Sequence, residues 1–323
     1  ETQLRGVYGR RRVEVNARGK EQSVLAEYAP QPGQHVVLSI DAAVQAKLEQ
    51  SLQTQLTKFN KTRGAAIALD PRTGRVIAMV SLPAYNNNDF SGGITSSTYR
   101  GYISNINKPL LNRTLSGAYP SGSTIKPAIA AAALSEGVVN AATTINSSGG
   151  IRVGAWFFPD WQAGGHGTTN VARSLAWSVN TFYYYVGGGY NGFTGLGAEK
   201  IMSWLKRLHF GTALGIEIPG ELDGFVPSRE WKKERTGEPW YIGDTYNLSI
   251  GQGDLLVTPL QIASLTSLVA NWGTLYSPRM AEAYINATTG ERTEIEPVIL
   301  QKNILSNTVL DPIRTGMREC VTY

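Results

Sequence analysis

Serine followed three residues later by lysine occurs twice in the chain, as Ser123/Lys126 and as Ser203/Lys206. On a helix that spacing is one turn, so the amine shares a face with the hydroxyl and can reach it. A neutral lysine can take the serine proton and release a nucleophile; a charged one cannot. The pattern is short enough to arise by chance in a chain of this length, so context decides. Ser203 stands beside Trp204 and Leu205 in a stretch with helical periodicity, where Lys206 reads as a solvated face residue. Ser123 instead follows a turn, Tyr119-Pro120-Ser121-Gly122, and stands where an alanine-dense helix begins. Pro127 fits only near a first helical turn, where backbone N–H groups lack partners. A helix start favours a developing alkoxide, and a buried Lys126 loses its proton more readily than one in water. Helix capping alone would account for Ser123. It would not account for Ser178-Val179-Asn180, the only Ser-x-Asn in the chain.

Other chemistries are poorly supplied. A single cysteine, Cys320, rules out a disulfide framework and a thiolate cluster. The three histidines, His35, His166 and His209, show no metal-ligand spacing. Asp160 and His166 could approach one another, but no third ligand stands near them, so no metal site and no cofactor are expected. Few histidines and the absence of Gly-x-Ser-x-Gly disfavour a Ser-His-Asp triad and an α/β-hydrolase. No run approaches 18 apolar residues, so no bilayer span is expected. The net charge of +5 is concentrated at one end: Arg5, Arg10, Arg11, Arg12, Arg18 and Lys20 face only Glu1 and Glu14 within residues 1–20. Without an aromatic ladder or a recognition helix, that cluster reads as a solvated basic strand and nucleic acid is excluded.

The elements that must position these residues follow from pattern. Residues 1–30 are polar, with short strands around Val7, Val13 and Val15, and Ala29-Pro30-Gln31-Pro32-Gly33 marks a boundary. Val36–Leu38 predicts a strand, and Asp41 caps a helix whose stripe is Val44, Leu48, Leu52 and Leu56. Ala65–Leu69 and Val76–Val80 predict a hairpin around Asp70-Pro71-Arg72-Thr73-Gly74. Ile125–Val139 is apolar on nearly every side and belongs in the middle of a core. Amphipathic helices are expected near 169–180, 198–209 and 259–272, then strands and a short terminal helix over 280–323. Early strands followed by a helical middle give an α+β fold.

The chain resembles the transpeptidase domain of class B penicillin-binding proteins, and within them the elongation branch typified by penicillin-binding protein 2. The resemblance runs through Arg5-Gly6, Glu14–Gly19, Leu38–Asp41 and Asp70-Pro71-x-Thr73-Gly74. It continues through Asn112-Arg113, Tyr119–Pro127, Gly165-His166-Gly167, Pro219-Gly220-Glu221, Gly243-Asp244-Thr245 and Ser249–Gly253, ending in Thr258–Gln261. It implies an antiparallel sheet with helices and a helical subdomain, the fold shared with serine β-lactamases. It implies two regions, 1–30 as the remnant of an N-terminal pedestal and 31–323 as a transpeptidase domain incomplete at its C-terminal end.

The resemblance also assigns roles. Ser123 would be the acylated nucleophile, Lys126 its base, Ser178 a proton relay to the leaving D-alanine, and Asn180 the residue holding the substrate amide. The substrate would be peptidoglycan stem peptides ending in D-Ala-D-Ala, with β-lactams as covalent mimics. Partners would be a membrane glycosyltransferase and a scaffold of the elongation complex. The site would face the periplasm or exterior of a bacterium, held by an anchor that this chain does not contain. The family's third motif, Lys-Thr/Ser-Gly, is absent. Arg-Thr-Gly occurs at Arg72, Arg235 and Arg314, as a hairpin turn, in a polar loop, and in a stretch that usually precedes the true motif. The functional protein is therefore expected to continue past Tyr323. Where relatives place cysteine inside Ser-x-Asn, this chain has Val179. Alternatives are a non-catalytic cell-wall scaffold, and a β-lactamase or β-lactam sensor on the same fold.

Overall fold

A computed structural model of the chain describes residues 3–322; Glu1, Thr2 and Tyr323, at the outer ends of the two expected regions, lie outside it. The chain opens with an antiparallel hairpin, β1 (Arg10–Val15) and β2 (Glu21–Tyr28), in which Val15, Val24, Leu25 and Tyr28 are all exposed. A bridge between Val7 and Gln31 closes its base. Strand β3 (His35–Leu38) follows, then helix α1 (Ala42–Lys58). Asp41 caps α1 by accepting from the Ala43 and Val44 amides at 2.9 and 3.0 Å. Its expected stripe is shorter by one residue. Leu48, Leu52 and Leu56 pack with Val80 and Leu82, whereas Val44 is left 40% exposed.

The hairpin β4 (Gly64–Leu69) and β5 (Val76–Leu82) forms as expected and runs two residues further. Asp70 starts its turn, accepting from the Arg72 amide and the Thr73 hydroxyl. Among the described residues β4 pairs with β5 alone. Two short helices, α2 (Ser96–Ser104) and α3 (Arg113–Ser116), lead to a 3₁₀ turn over Gly122–Ile125 and then to α4 (Lys126–Ser135). Every residue from Lys126 to Ala133 is buried, so α4 is the axis of the core. The small alanine side chains let its neighbours approach from all sides, because each presents only a methyl group.

Next come four short strands, β6 (Ile145–Ser147), β7 (Gly150–Val153), β8 (Trp156–Pro159) and β9 (Gly167–Thr169). The helix expected over 169–180 stops early, and a helix that was not expected begins at its far bound. Helix α5 (Val171–Ala176) ends at Trp177, and α6 (Asn180–Gly188) starts three residues later. The break is Ser178, held in the left-handed region at φ +54°, which no helix can pass through. Helices α7 (Gly197–Arg207), α8 (Arg229–Thr236), α9 (Ile242–Ser249) and α10 (Pro259–Ala270) complete the helical layer, α8 and α9 unforeseen. Thr258 and Gln261 cap α10 reciprocally.

Strands β10 (Leu275–Tyr276), β11 (Ala281–Ile285), β12 (Arg292–Glu294) and β13 (Ile299–Gln301) precede the last helix, α11 (Asn307–Thr322). At 16 residues α11 is not the short helix expected; Pro312 lies within it. Strand β11 joins β12 to β3 in an antiparallel sheet, and the Val76 amide ties β5 to the Arg279 carbonyl at 2.8 Å. The architecture is α+β, with small antiparallel sheets flanking a helical core built on α4, α5, α6, α7 and α11.

Candidate active site

The 3₁₀ turn holds Ser123 at the surface while Lys126, one turn on, is 1% exposed. The serine is thus exposed and the lysine one turn later is buried. The turn is fixed from behind by the segment after α9. Gly122 donates its amide to the Gly251 carbonyl at 2.8 Å. Gly251 has φ +73°, and a Cβ there would lie 2.1 Å from the Gly122 carbonyl oxygen, so only glycine allows this approach. Ser123 Oγ makes no hydrogen bond among the described residues, and the N-cap of α4 is Ile125, not Ser123. Capping therefore does not explain this serine.

Lys126 Nζ reaches into the break between α5 and α6. It contacts the Ser178 carbonyl oxygen at 2.7 Å, Ser178 Oγ at 3.1 Å and Asn180 Oδ1 at 2.7 Å. It also lies 5.3 Å from the centre of the Tyr183 ring. Burial strips water from the ammonium and brings its pKa from 10.5 down to about 7, although the negative charge of Asp160 pulls the other way. An ammonium has three protons for those three acceptors. The neutral amine has two, and then offers a lone pair to a hydroxyl proton. Asn180 spends Oδ1 on the lysine, which leaves Nδ2 as a donor.

Lys126, Ser178 and Asn180 thus meet in one place, and Ser123 stands one turn before the lysine, although 55 residues separate it from Ser178. The other Ser-x-x-Lys pair does not. Ser203 and Lys206 both lie on the exposed face of α7. Two of the three Arg-Thr-Gly arginines are engaged elsewhere. Arg72 pairs with Asp70 at 3.1 Å, and Arg314 donates to the Val269 carbonyl at 2.7 Å. Arg235 lies in the last turn of α8, where a polar loop was expected.

Asp160 and His166 do approach, with Nδ1 3.7 Å from Oδ2, and both side chains are buried. His166 lies between the Trp161 and Trp177 rings, at 5.0 and 6.2 Å. Among the described residues no group of three or more His, Cys, Asp or Glu side chains is placed to hold a metal ion. Burial works to raise the Asp160 pKa, but hydrogen bonds from Thr181, Asn180 and Trp161 outweigh it and hold the carboxyl below its usual value. Sequence reasoning did not anticipate Tyr183 beside the lysine. Its position one turn after Val179 on an apolar helix was the available clue.

The model of the penicillin-binding protein transpeptidase domain matches residues 64–323. The chain is 38% identical over 284 residues to the peptidoglycan D,D-transpeptidase MrdA of Escherichia coli, covering 86% of this chain and 42% of that protein. It therefore spans about two-fifths of that relative's length. Among solved structures, Pseudomonas aeruginosa PBP2 in complex with WCK 5153 superposes with a TM-score of 0.75 at 33% identity, over 90% of this chain and 62% of that one. The complex of PBP2 and MreC from Helicobacter pylori gives 0.78 at 30% identity, over 97% and 55%. With that match over residues 64–323 and these relatives, the chain belongs to the penicillin-binding protein transpeptidases and is similar to penicillin-binding protein 2.

Proposed function

We propose that the protein is a serine D,D-transpeptidase that cross-links peptidoglycan stem peptides during cell elongation. Ser123 Oγ attacks the carbonyl of the D-alanyl-D-alanine bond while neutral Lys126 takes its proton. Ser178, within hydrogen-bond reach of the amine, passes a proton to the nitrogen of the departing D-alanine. Asn180 Nδ2 holds the donor peptide, and an amine from a neighbouring strand resolves the acyl-enzyme. β-Lactams enter as mimics of the donor. The observation that carries this reading is the Lys126 side chain, buried, bonded to both Ser178 and Asn180, and with its pKa brought down to about 7 by that burial.

A β-lactamase needs a free base for the water that removes the acyl group. Asp160, the buried carboxylate nearest these residues in the hydrogen-bond network, already accepts from five donors. On the same reading residues 1–30 are the end of a pedestal and 31–323 belong to the transpeptidase domain. Among the described residues no helix is long and apolar enough to cross a membrane. The reading places the anchor in a preceding segment and the site in the periplasm, beside a membrane glycosyltransferase and an elongation scaffold. The Helicobacter pylori complex of PBP2 with MreC supports the scaffold.

Intact-mass analysis after exposure to penicillin tests the reading. Ser123→Ala abolishes the adduct without loss of fold, and Ser203→Ala retains it. An adduct on Ser123→Ala, or one lost within seconds from the unaltered protein, overturns it.

A further inference from the structure

The carboxylate of Asp160 sits 20 residues before Asn180 in sequence yet accepts hydrogen bonds from the start of α6. Oδ1 takes the Asn180 amide at 3.1 Å and the Trp161 amide at 2.9 Å. Oδ2 takes the Thr181 amide at 3.0 Å, the Thr181 hydroxyl at 2.7 Å and the Ser147 hydroxyl at 3.1 Å. Val179 occupies the N-cap position of α6 and has no side-chain oxygen, so Asp160 supplies from a distance the acceptor that a helix start needs. The residue directly before that cap is Ser178, in the left-handed region that is strained for a non-glycine residue. Something must hold that conformation, and Asp160 bonds the amides of Asn180 and Thr181, two and three residues after it.

Resting on the catalytic reading above, we propose that Asp160 is the positioning residue of the reaction, clamping the Ser178–Asn180 segment onto Lys126 and placing a negative charge beside that amine. It touches neither substrate nor nucleophile. It acts by fixing where Ser178 and Asn180 stand and by favouring the ammonium, against the burial that favours the amine. Other charged groups are turned elsewhere. Tyr183 of α6 stays a neutral phenol because burial raises its pKa. Arg173 of α5 lies over Trp177, and Lys200 of α7 pairs with Glu136 at the far end of α4. On α11, Asp311, Arg314 and Arg318 line a cavity against α10, and Glu319 is half-buried in the last turns. His166, 3.7 Å from Oδ2, and Tyr184 of α6, whose pKa burial and the Asp160 charge push up to about 12, are the other titratable groups at the clamp.

The test is the rate of acylation by a fluorescent penicillin, measured against pH in the full-length protein carrying Asp160→Asn or Thr181→Val. Asparagine keeps one acceptor and removes the charge. Its plateau rate falls roughly tenfold or more through misplacement, and its acid limb moves to lower pH because Lys126 loses its proton more readily. Thr181→Val removes one donor and keeps the charge, so the rate falls severalfold with the acid limb in place. A merely structural role would not move the limb. An Asp160→Asn limb that stays or moves up overturns the proposal, as does either variant acylating at the unaltered rate. If Asp160→Asn does not fold, Thr181→Val decides alone. Loss of labelling in Ser123→Ala, checked alongside, shows that the catalytic reading stands whichever way the clamp resolves.

Discussion

At the scale of single residues, the chemistry turns on one amine. Lys126 is fully buried in the core, and on the proposed reading that burial sets the pH at which it becomes a base. Acylation should rise with pH through about 7 as the ammonium loses its proton. A rate that is flat between pH 5 and 9 would show that another group takes the serine proton. The same shift bears on stability. The unfolded chain holds this proton up to about 10.5, so the lysine's contribution is full above that value and is lost as pH falls towards about 7. Lys126→Arg should be nearly as damaging as Lys126→Ala, each lowering acylation by roughly 10²–10⁴. Arginine stays charged, and its fork does not fit a slot with three acceptors already placed for an ammonium. Single-turnover acylation rates check this, and an active arginine variant would relocate the base. The lysine was legible in the sequence because Ser-x-x-Lys before an alanine-rich helix implies burial. Asp160 was legible only as a possible neighbour of His166, since no local pattern ties it to a helix start 20 residues away.

At the scale of elements, the site is three chain segments held in register: the turn before α4, the break between α5 and α6, and the loop after α9. The loop is the most sensitive to added bulk. Gly251→Ala puts a methyl group 2.1 Å from the Gly122 carbonyl and 2.4 Å from Ser121 Oγ, so the nucleophile's turn must move. Acylation should fall roughly 10²-fold, the scale of a displacement near 1 Å. Gly253→Ala is the control. It shares a positive φ, but its Cβ meets nothing closer than 3.6 Å. It should lose stability and keep most of its rate. Equal rate losses in the two variants would mean that backbone strain, not the contact with Gly122, is responsible. Caps marked α1 and α10 in the sequence because Asp41 and Thr258 act on their own helices. The break at Ser178 was hidden because its left-handed backbone is imposed by tertiary contacts. Helix α9 was hidden too, since Gly243, Thr245 and Asn247 are weak helix formers, rescued by Asp244 reaching back to the Tyr241 amide at 2.7 Å.

At the scale of the whole molecule, α4 is enclosed by α5, α6, α7 and α11, so the last helix supports the segment that carries Ser178. Gly316 is the contact point. A Cβ there would lie 2.5 Å from the Ala172 carbonyl oxygen and 2.8 Å from Leu175 Cβ. Gly316→Ala gains about 1 kcal/mol of helix propensity but overpacks a backbone contact that no rotamer can relieve. A net loss of about 1–2 kcal/mol follows, read as a lower urea midpoint; an unchanged or higher midpoint would show that α11 slides freely. The terminal helix was underestimated in the sequence because Pro312 suggests a stop, although it lies only five residues after Asn307. The other open feature is the outer edge of β4. Its backbone groups between Gly64 and Leu69 bond inward to β5 alone, beside a cavity of about 490 Å³ lined by Ile67, Tyr119, Val257 and Ile262. A strand with one open edge beside apolar surface is a template for intermolecular pairing. In concentrated solution these 323 residues, handled alone, should self-associate edge to edge and form β-rich aggregates, so shelf life and yield, and not only catalysis, depend on what covers that strand.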